Sequence, residues 1–435
     1  MPSIHSRPLR RTLPIVAATA VIAVLAGCSG GGSSDGGKGG GFGLLINDDN
    51  AVVQDTLTSL STGACEAENK AAPLEIDTVP QSGLDQQLQL LGGQNALPAQ
   101  FAASGSPAVT KQLDAAGQTL DLEKTLTDLG VIDKIEPAAL STIKNLYGKL
   151  IVLPYQFNIE GVWYNKQLFA DNGLRVPQTW DELVAAAGTL KAAGVTAFSA
   201  SGEQGWPITR LISGYLYREL GPDALQKVAD GEAKLTDPDY VAAAQAIADL
   251  GAAGYFGEGV GSIDYDTAVS QFLTGKAGMF YMGSWTLGAF NDPKQNQIGE
   301  DNIGFFPLPT VDGGVGAADQ IPANVGLPVA VSAKGYNDSV GGWLSCIAKN
   351  YGTESLAKQG TVSGFKATGD VGDVPQLTKL VQDTIADTTE STLWFEALFG
   401  AKATLTSQQN AAQLVTGAMS PANFMAAVQA DLDSE

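Results

Sequence analysis

Residues 268–285 read AVSQFLTGKAGMFYMGSW, and this stretch shows the pattern on which the fold assignment depends. A predicted helix ends at Gly275, the apolar segment 277–282 follows, and Gly283 turns the chain into a new helix. A short apolar run between glycines is typical of a buried strand. Ligands of open α/β sheets bind outside the carboxyl ends of the strands. Trp285 stands at such an end, and we expect it to contact a ligand.

The same alternation of short apolar strands and amphipathic helices recurs along the chain, which predicts an α/β fold with mainly parallel sheets. After residue 365 the sequence predicts helices only. Thr179 and Glu182 have the spacing of a capping box and predict a helix start. The other predicted segments are the strands 43–46, 74–79, 195–199 and 326–332 and the helices 51–60, 82–91 and 338–350.

The first 28 residues have the pattern of a targeting segment. Arg7, Arg10 and Arg11 precede a short apolar run at 15–25, which is too short for a lasting membrane span. Residues 25–28, LAGC, resemble the bacterial lipobox, so we expect a lipoprotein signal peptide at 1–27 and a lipidated Cys28. A plain signal with a chance cysteine is the alternative, and the export route, general secretion or twin-arginine, stays open.

Residues 29–43 are glycine and serine apart from Asp35, Lys38 and Phe42, a composition typical of a flexible tether, so we assign 28–43 to the lipidated cysteine and its tether. Behind a lipid anchor, such a tether would hold a globular body off the membrane. We therefore expect the protein at the extracellular face of the bacterial cell membrane, lipid-anchored. The body has about 390 residues, which favours two lobes over one core.

Charge and histidine content exclude several classes of function. The formal net charge of −21 argues against nucleic acid as a partner, because phosphate binding needs a basic face. The chain has one histidine, His5, inside the predicted signal. The mature protein would therefore lack Ser-His-Asp and Cys-His catalysis and any histidine-based zinc site. No cofactor and no metal are predicted, whereas chemistry by paired carboxylates stays possible.

Three segments in order resemble a known family. They are 148–166 (GKLIVLPYQFNIEGVWYNK), 275–285, and 305–309 (FFPLP) followed by 326–334. They resemble family 1 extracellular solute-binding proteins, the maltose- and oligosaccharide-binding-protein-like components of bacterial ABC sugar importers. The similarity runs over nearly all of the mature chain.

The resemblance implies a periplasmic-binding-protein fold, with two α/β lobes joined by crossing strands and a ligand cleft between them. We assign lobe one to 44–157 plus 310–362, and lobe two to 158–309 plus 363–435. The implied partners are a carbohydrate ligand and the membrane permease subunits with their ATPase. The implied protein is a monomer that binds its ligand without chemistry, and so is not an enzyme.

A sugar presents an apolar ring face and a fringe of hydroxyls, which aromatic planes and carboxylate or amide groups recognise. Arg210 is assigned to a helix salt bridge rather than to the ligand. Trp163, Trp180 and Trp343 are assigned to the core. The candidate ligand-binding residues are Trp285, Trp394 and Trp206 for stacking, Glu160 or Asn158 at the lobe crossing, Asn47 or Asp48 at the end of the first strand, and Asn324.

Two other functions stay open from sequence. The acidic charge would suit a polyamine or another cationic ligand, since aromatic and carboxylate groups serve either ligand. A surface glycosidase with paired carboxylates is the enzymatic alternative. The identity, linkage and chain length of the sugar are not determined by these residues.

Three cysteines remain to be placed. If Cys28 carries lipid, Cys65 and Cys346 are left in an oxidising compartment, where paired thiols are expected. We predict a disulfide between them within lobe one, where it would not restrain lobe closure. Two separately buried cysteines are the alternative.

Overall fold

The computed structural model describes residues 41–47, 50–103, 107–388 and 390–434. The predicted signal peptide 1–27, Cys28 and most of the tether 28–43 lie outside the described residues. None of the helices in the described ranges combines the length and apolar character that a membrane span requires.

The described strands, numbered in chain order, are β1 (Phe42–Asn47), β2 (Leu74–Val79), β3 (Gln100–Ala102), β4 (Val152–Leu153), β5 (Asn158–Asn165), β6 (Thr196–Ser199), β7 (Ala277–Gly283), β8 (Ile303–Phe306), β9 (Ile321–Asn324), β10 (Val329–Val331) and β11 (Ser391–Thr392).

The described α-helices are α1 (Ala51–Thr62), α2 (Glu66–Ala71), α3 (Gln81–Gly93), α4 (Pro107–Ala115), α5 (Leu122–Asp128), α6 (Pro137–Tyr147), α7 (Lys166–Asp171), α8 (Trp180–Ala192), α9 (Trp206–Leu220), α10 (Ala224–Ala229), α11 (Pro238–Ala252), α12 (Tyr265–Leu273), α13 (Leu287–Phe290), α14 (Asp338–Gln359), α15 (Gln376–Asp387), α16 (Ala401–Val415) and α17 (Pro421–Leu432).

The strands form two sheets, which confirms the predicted α/β fold. The first sheet has the order β2-β1-β3-β10-β4, with β1 parallel to β2 and β3, and with β10 antiparallel to β3 and β4. The second has the order β11-β9-β5-β7-β6, and β8 also pairs with β5. Strand β5 is antiparallel to β7, β8 and β9, so this sheet is more mixed than the expected mainly parallel arrangement.

Two of the places where the chain passes between the sheets are adjacent, and a third passage leads from β10 through α14 and α15 to β11. Residues 154–157 lead from β4 to β5, and residues 325–328 lead from β9 back to β10. In the pairing of β5 with β9, Asn158 lies opposite Asn324, so the two crossings run side by side. The exact division into lobes stays a prediction. Strand β9, which falls within the predicted lobe-one segment 310–362, pairs in the second sheet.

A disulfide and an aromatic stack support the first sheet. Cys65 and Cys346 are bridged, with Cα atoms 5.8 Å apart, and the bridge ties the segment after α1 to α14. On the same helix Trp343 stacks on Phe42 of β1, with ring centroids 4.7 Å apart, and donates its indole N–H to the carbonyl of Ala72 at 2.8 Å. Helix α14 is thereby held against this sheet by covalent, apolar and polar contacts.

The tryptophans assigned to the core are buried. Trp163 is fully buried and donates to the carbonyl of Met282 at 3.0 Å, and Trp180 packs edge-on against Tyr215. With Trp343, these rings supply large apolar contact areas, and the indole N–H groups of Trp163 and Trp343 have carbonyl partners.

Most of the helix and strand boundaries that local sequence patterns predicted agree with the structure. Strand β2 has the predicted bounds, and Thr179 caps α8 by accepting from the N–H of Glu182 at 3.3 Å. Glu182 departs from the ideal capping box, because its carboxylate accepts from the N–H of Gln178, at 2.7 Å, instead of that of Thr179. The prediction of helices only after residue 365 is wrong: β11 pairs with β9, which draws two polar residues into the second sheet.

Candidate functional site

A cleft of about 460 Å³ lies beside the two crossings. Its volume is within the range of small-molecule sites, which is about 300–1,000 Å³. The start of α4, the end of α6, helix α9 and the segments that follow β7 and β11 contribute to its lining. The lining residues are Pro107, Leu146, Tyr147, Gln156, Asn158, Trp206, Arg210, Trp285, Asn324–Pro328 and Trp394.

Three indoles in this cleft surround one guanidinium group. The Cζ atom of Arg210 lies 4.7 Å from the ring centroid of Trp206, 5.2 Å from that of Trp285 and 5.7 Å from that of Trp394. The centroids of Trp206 and Trp285 are 5.7 Å apart, with the rings inclined at 61°. We call Trp206, Trp285 and Trp394 the tryptophan cage. All three distances are within the roughly 6 Å that cation–π attraction requires.

Two glycines allow the cage to form. Gly205 has φ of 73°, a left-handed conformation favoured by glycine, and a Cβ there would collide with the backbone of Gln408. Helix α9 can thus begin at Trp206 in close contact with α16. Gly283 ends β7, and a Cβ at this position would collide with the ring of Trp285. The indole therefore lies directly over the last residue of the strand.

Below the cage lies a chain of polar contacts. Arg210 donates from Nη1 to Oε1 of Glu160, and Asn324 donates to the same oxygen at 3.3 Å. Asn158 donates to the side-chain oxygen of Asn324 at 3.2 Å, and Ser284 donates to that of Asn158 at 3.3 Å. The contacts connect both crossings to α9 and to the end of β7. The amide groups of Asn158 and Asn324 line the cleft, whereas Glu160 is 1% exposed.

Two opposing effects act on the pKa of Glu160. Burial raises the pKa of its carboxyl group, while Arg210 and then the Asn324 amide lower that pKa. Its Oε2 atom, the Nε atom of Arg210 and the hydroxyl of Tyr281 are buried without a hydrogen-bond partner among the described residues. Tyr281 stands opposite Val162 in the β5–β7 pairing, on the same face as Glu160. Glu160 and Arg210 thus each retain a polar atom, close to the cleft, that has no hydrogen-bond partner among the described residues.

A second cleft of about 540 Å³ adjoins the first and shares Pro107, Trp206, Arg210 and Trp394 with it. Its wall includes Glu396, which is buried, accepts from the hydroxyl of Thr209 and accepts from that of Ser407 at 3.1 Å. Burial raises the pKa of Glu396, and the Thr209 hydroxyl and the Arg210 charge act in the opposite direction. Arg210 therefore interacts with two buried carboxylates, with Glu160 by direct contact and with Glu396 through its charge.

The structure brings most of the predicted site residues together. Trp206, Trp285, Trp394, Asn158 and Asn324 all line the first cleft, and Glu160 lies beneath it.

The predicted residues of the first strand are placed differently. Asn47 is buried at the end of β1 and does not belong to the cleft lining, and its backbone carbonyl accepts from the side chain of Gln54 at 3.3 Å. Asp48 lies outside the described residues.

Arg210 and Tyr147 are the principal lining residues that the sequence reasoning did not include. Arg210 was assigned to a helix salt bridge rather than to the ligand; its salt bridge is instead with Glu160 on strand β5, and the same guanidinium faces the cleft. Its position four residues after Trp206 on α9 was an available signal, because residues at this spacing share a helix face. Tyr147 precedes Gly148, where α6 ends in a left-handed turn, and no local pattern links it to the cleft.

Comparison with known proteins identifies a matching family and several proteins of similar sequence. Residues 50–350 match the model of the bacterial extracellular solute-binding protein family. An uncharacterized ABC transporter extracellular-binding protein of Pyrococcus horikoshii is 27% identical over 237 residues, which cover 52% of this chain and 53% of the relative. The multiple sugar-binding protein of Streptococcus mutans is 26% identical over 291 residues, which cover 62% of each chain.

Solved structures extend the likeness to the whole fold. A chitin oligosaccharide binding protein superposes with a TM-score of 0.71 and 26% sequence identity, covering 91% of this chain and 98% of its own. The chain spans about half to three fifths of the length of the curated relatives named above. The family model matches well over half of the chain. This protein therefore belongs to the bacterial extracellular solute-binding protein family.

Proposed function

We propose that this protein binds a sugar or oligosaccharide outside the cell and delivers it to an ABC importer. The observation that carries the proposal is the cleft in which Trp206, Trp285 and Trp394 stand beside the amides of Asn158 and Asn324. Indole faces suit the apolar side of a sugar ring, and amides both donate to and accept from hydroxyls. The names of the Streptococcus mutans relative and of the chitin oligosaccharide binding protein support the same ligand class.

Delivery would depend on hinge closure. The adjacent segments 154–157 and 325–328 carry the chain between the two sheets beside the cleft. A ligand that contacts residues of both lobes interacts fully only with a closed state and would shift the population toward it. The closed form would then be recognised by permease subunits coupled to an ATPase. The protein would act as a monomer and perform no chemistry.

The structure favours a neutral ligand over the cationic alternative. The guanidinium of Arg210 already faces all three cage rings, so a polyamine would meet a like charge in the cleft. A glycosidase would need a pair of carboxylates free to act on a bound sugar. Glu160 is instead bonded to Arg210 and Asn324 below the cleft surface.

A thermal-shift screen of the purified protein tests the ligand class. The panel should contain monosaccharides, chitin-, xylan- and starch-derived oligosaccharides, and polyamines. A sugar present at 100 times its dissociation constant should add about 2.7 kcal/mol to the free energy of unfolding. Stabilisation by polyamines with no response to any sugar would contradict the proposal, and release of reducing sugar from a glycoside panel would favour the enzymatic alternative.

We also propose that Cys28 carries a lipid anchor, on the support of the LAGC sequence at 25–28 and the glycine- and serine-rich segment behind it. In membrane fractionation, Cys28→Ala should move the protein from the membrane to the medium or leave its signal uncleaved. Cys65→Ala is the matched control, since it removes a cysteine and should leave the membrane association intact. Unchanged membrane recovery of a Cys28 variant whose signal has been cleaved would refute the anchor.

A further inference from the structure

The tryptophan cage has the geometry of a cation site, and the guanidinium of Arg210, from the same chain, occupies it. Arg210 reaches the cage from the same face of α9 as Trp206, four residues earlier, while Trp285 and Trp394 come from separate elements. Only 15% of the Arg210 side chain is exposed. A guanidinium that is largely removed from water and faces three indoles is attracted to them more strongly than an exposed one.

The carboxylates beside the cage complete such a site. Glu160 contacts the guanidinium directly, and the buried Glu396 lies near enough for its charge to interact with Arg210. Two buried acids therefore interact with one largely buried guanidinium, Glu160 by direct contact and Glu396 through its charge. Without Arg210, the same space would present three indole faces and two carboxyl groups, which is the set of groups that recognises an organic cation.

We propose that Arg210 determines the charge specificity of the cleft: its guanidinium occupies the cation site formed by the tryptophan cage and Glu160, and so excludes cationic solutes from the protein. The inference rests on the proposed function only in taking this cleft as the ligand site. It predicts a latent binding activity for guanidinium or ammonium compounds that appears when the Arg210 side chain is removed.

The size of the space makes methylguanidinium a suitable probe. The cage rings stand about the Arg210 Cζ atom at 4.7–5.7 Å, so a guanidinium group of the same size fits between them. The neighbouring clefts of about 460 and 540 Å³ leave room for the methyl group and for the longer cation spermidine. Both compounds can be used at concentrations that do not unfold proteins.

The experiment compares the purified wild type with Arg210→Ala by isothermal titration with methylguanidinium and spermidine. We expect no binding to the wild type at about 10 mM and a dissociation constant of about 1 mM or below for the variant, a gain of at least tenfold. Arg210→Lys, which keeps a cation in the cage, should not bind either probe. Arg175→Ala, which removes an exposed arginine, is the matched control and should behave as the wild type.

Removing Arg210 alone leaves Glu160 buried without its cation, which can prevent folding. The double variant Glu160→Gln/Arg210→Ala removes both charges and keeps the cage and Glu396, so it should still bind the cations, though more weakly than a folded Arg210→Ala.

A folded variant of either kind without cation binding at 10 mM would overturn the inference, and so would equal binding by the wild type. Failure of the wild type to bind any sugar would count against the proposed function alone, because the cation titration uses no sugar.

Discussion

Replacement of Trp285 by alanine removes one of the three indoles that line the cleft, and the structure allows its effect to be estimated. Trp285 is half-buried, with one side against Trp206 and its ring over Gly283. A sugar ring would cover about a third of the 150–250 Å² that an indole buries, which is about 60 Å². At about 25 cal/mol per Å², losing this contact weakens binding by about 1.5 kcal/mol. The dissociation constant should therefore rise about tenfold.

Isothermal titration with the sugar identified by thermal shift measures this change, and circular dichroism verifies the fold. Trp285→Phe is the matched control: it keeps an aromatic face and should lose less affinity than the alanine variant. Gly283→Ala offers an independent perturbation, because its added Cβ displaces the Trp285 ring without removing it. It should weaken sugar binding in the same direction. A folded Trp285→Ala protein with unchanged affinity would refute the stacking role and assign this indole to the core.

Three further predictions concern stability. Cys65→Ala/Cys346→Ala should lower the free energy of unfolding by up to about 5 kcal/mol, given the 281-residue separation, while sugar affinity stays unchanged; urea unfolding and titration measure both. Burial raises the pKa of Glu396 above its ordinary 4.5, so this group adds stability that is fully present below pH 4.5 and lost as the pH rises through the raised value. Glu396→Gln should therefore reduce the dependence of stability on pH in this range, as urea unfolding at a series of pH values would show. Arg218 is buried and donates to the carbonyls of Leu308, Ala317, Ala318 and Gln320, so Arg218→Met should cost at least about 3 kcal/mol by leaving these acceptors unpaired; an equally stable variant would contradict this reasoning.

The sequence predicted those parts of the fold that depend on local patterns. Glycines and an apolar run bound β7 as expected, and Thr179 marks the start of α8. Strand β11 could not be found in this way, because it has only two residues, Ser391 and Thr392, neither of them strongly apolar. Its conformation depends on pairing with β9, about 70 residues earlier in the chain, and no local pattern encodes such a pairing.

The candidate site, like the fold, could be predicted from the sequence only in part. The sequence indicated Trp285 by its position at a strand end and by the family resemblance, Trp206 by its position in a predicted loop, and Trp394 by the family resemblance. It did not reveal that all three face one arginine, since Trp206, Trp285 and Trp394 are brought together only by the tertiary fold. Nor did it distinguish Glu160 from Asn158. The two residues are two positions apart on β5 and therefore share a face of the sheet, so only the contacts from α9 and β9 decide what each side chain meets.

The bridge between Cys65 and Cys346 also determines how the protein would respond to a break in its backbone. The connection between β8 and β9 reaches the surface at Val315, which is 75% exposed, and is an accessible position for a protease. A cut there divides the polypeptide into two pieces, one containing Cys65 and the other Cys346. The disulfide would keep these pieces in one covalent molecule. A nicked protein would therefore migrate as an intact chain until it is reduced, and could keep its paired strands in place after damage that would release a fragment from a chain without the bridge.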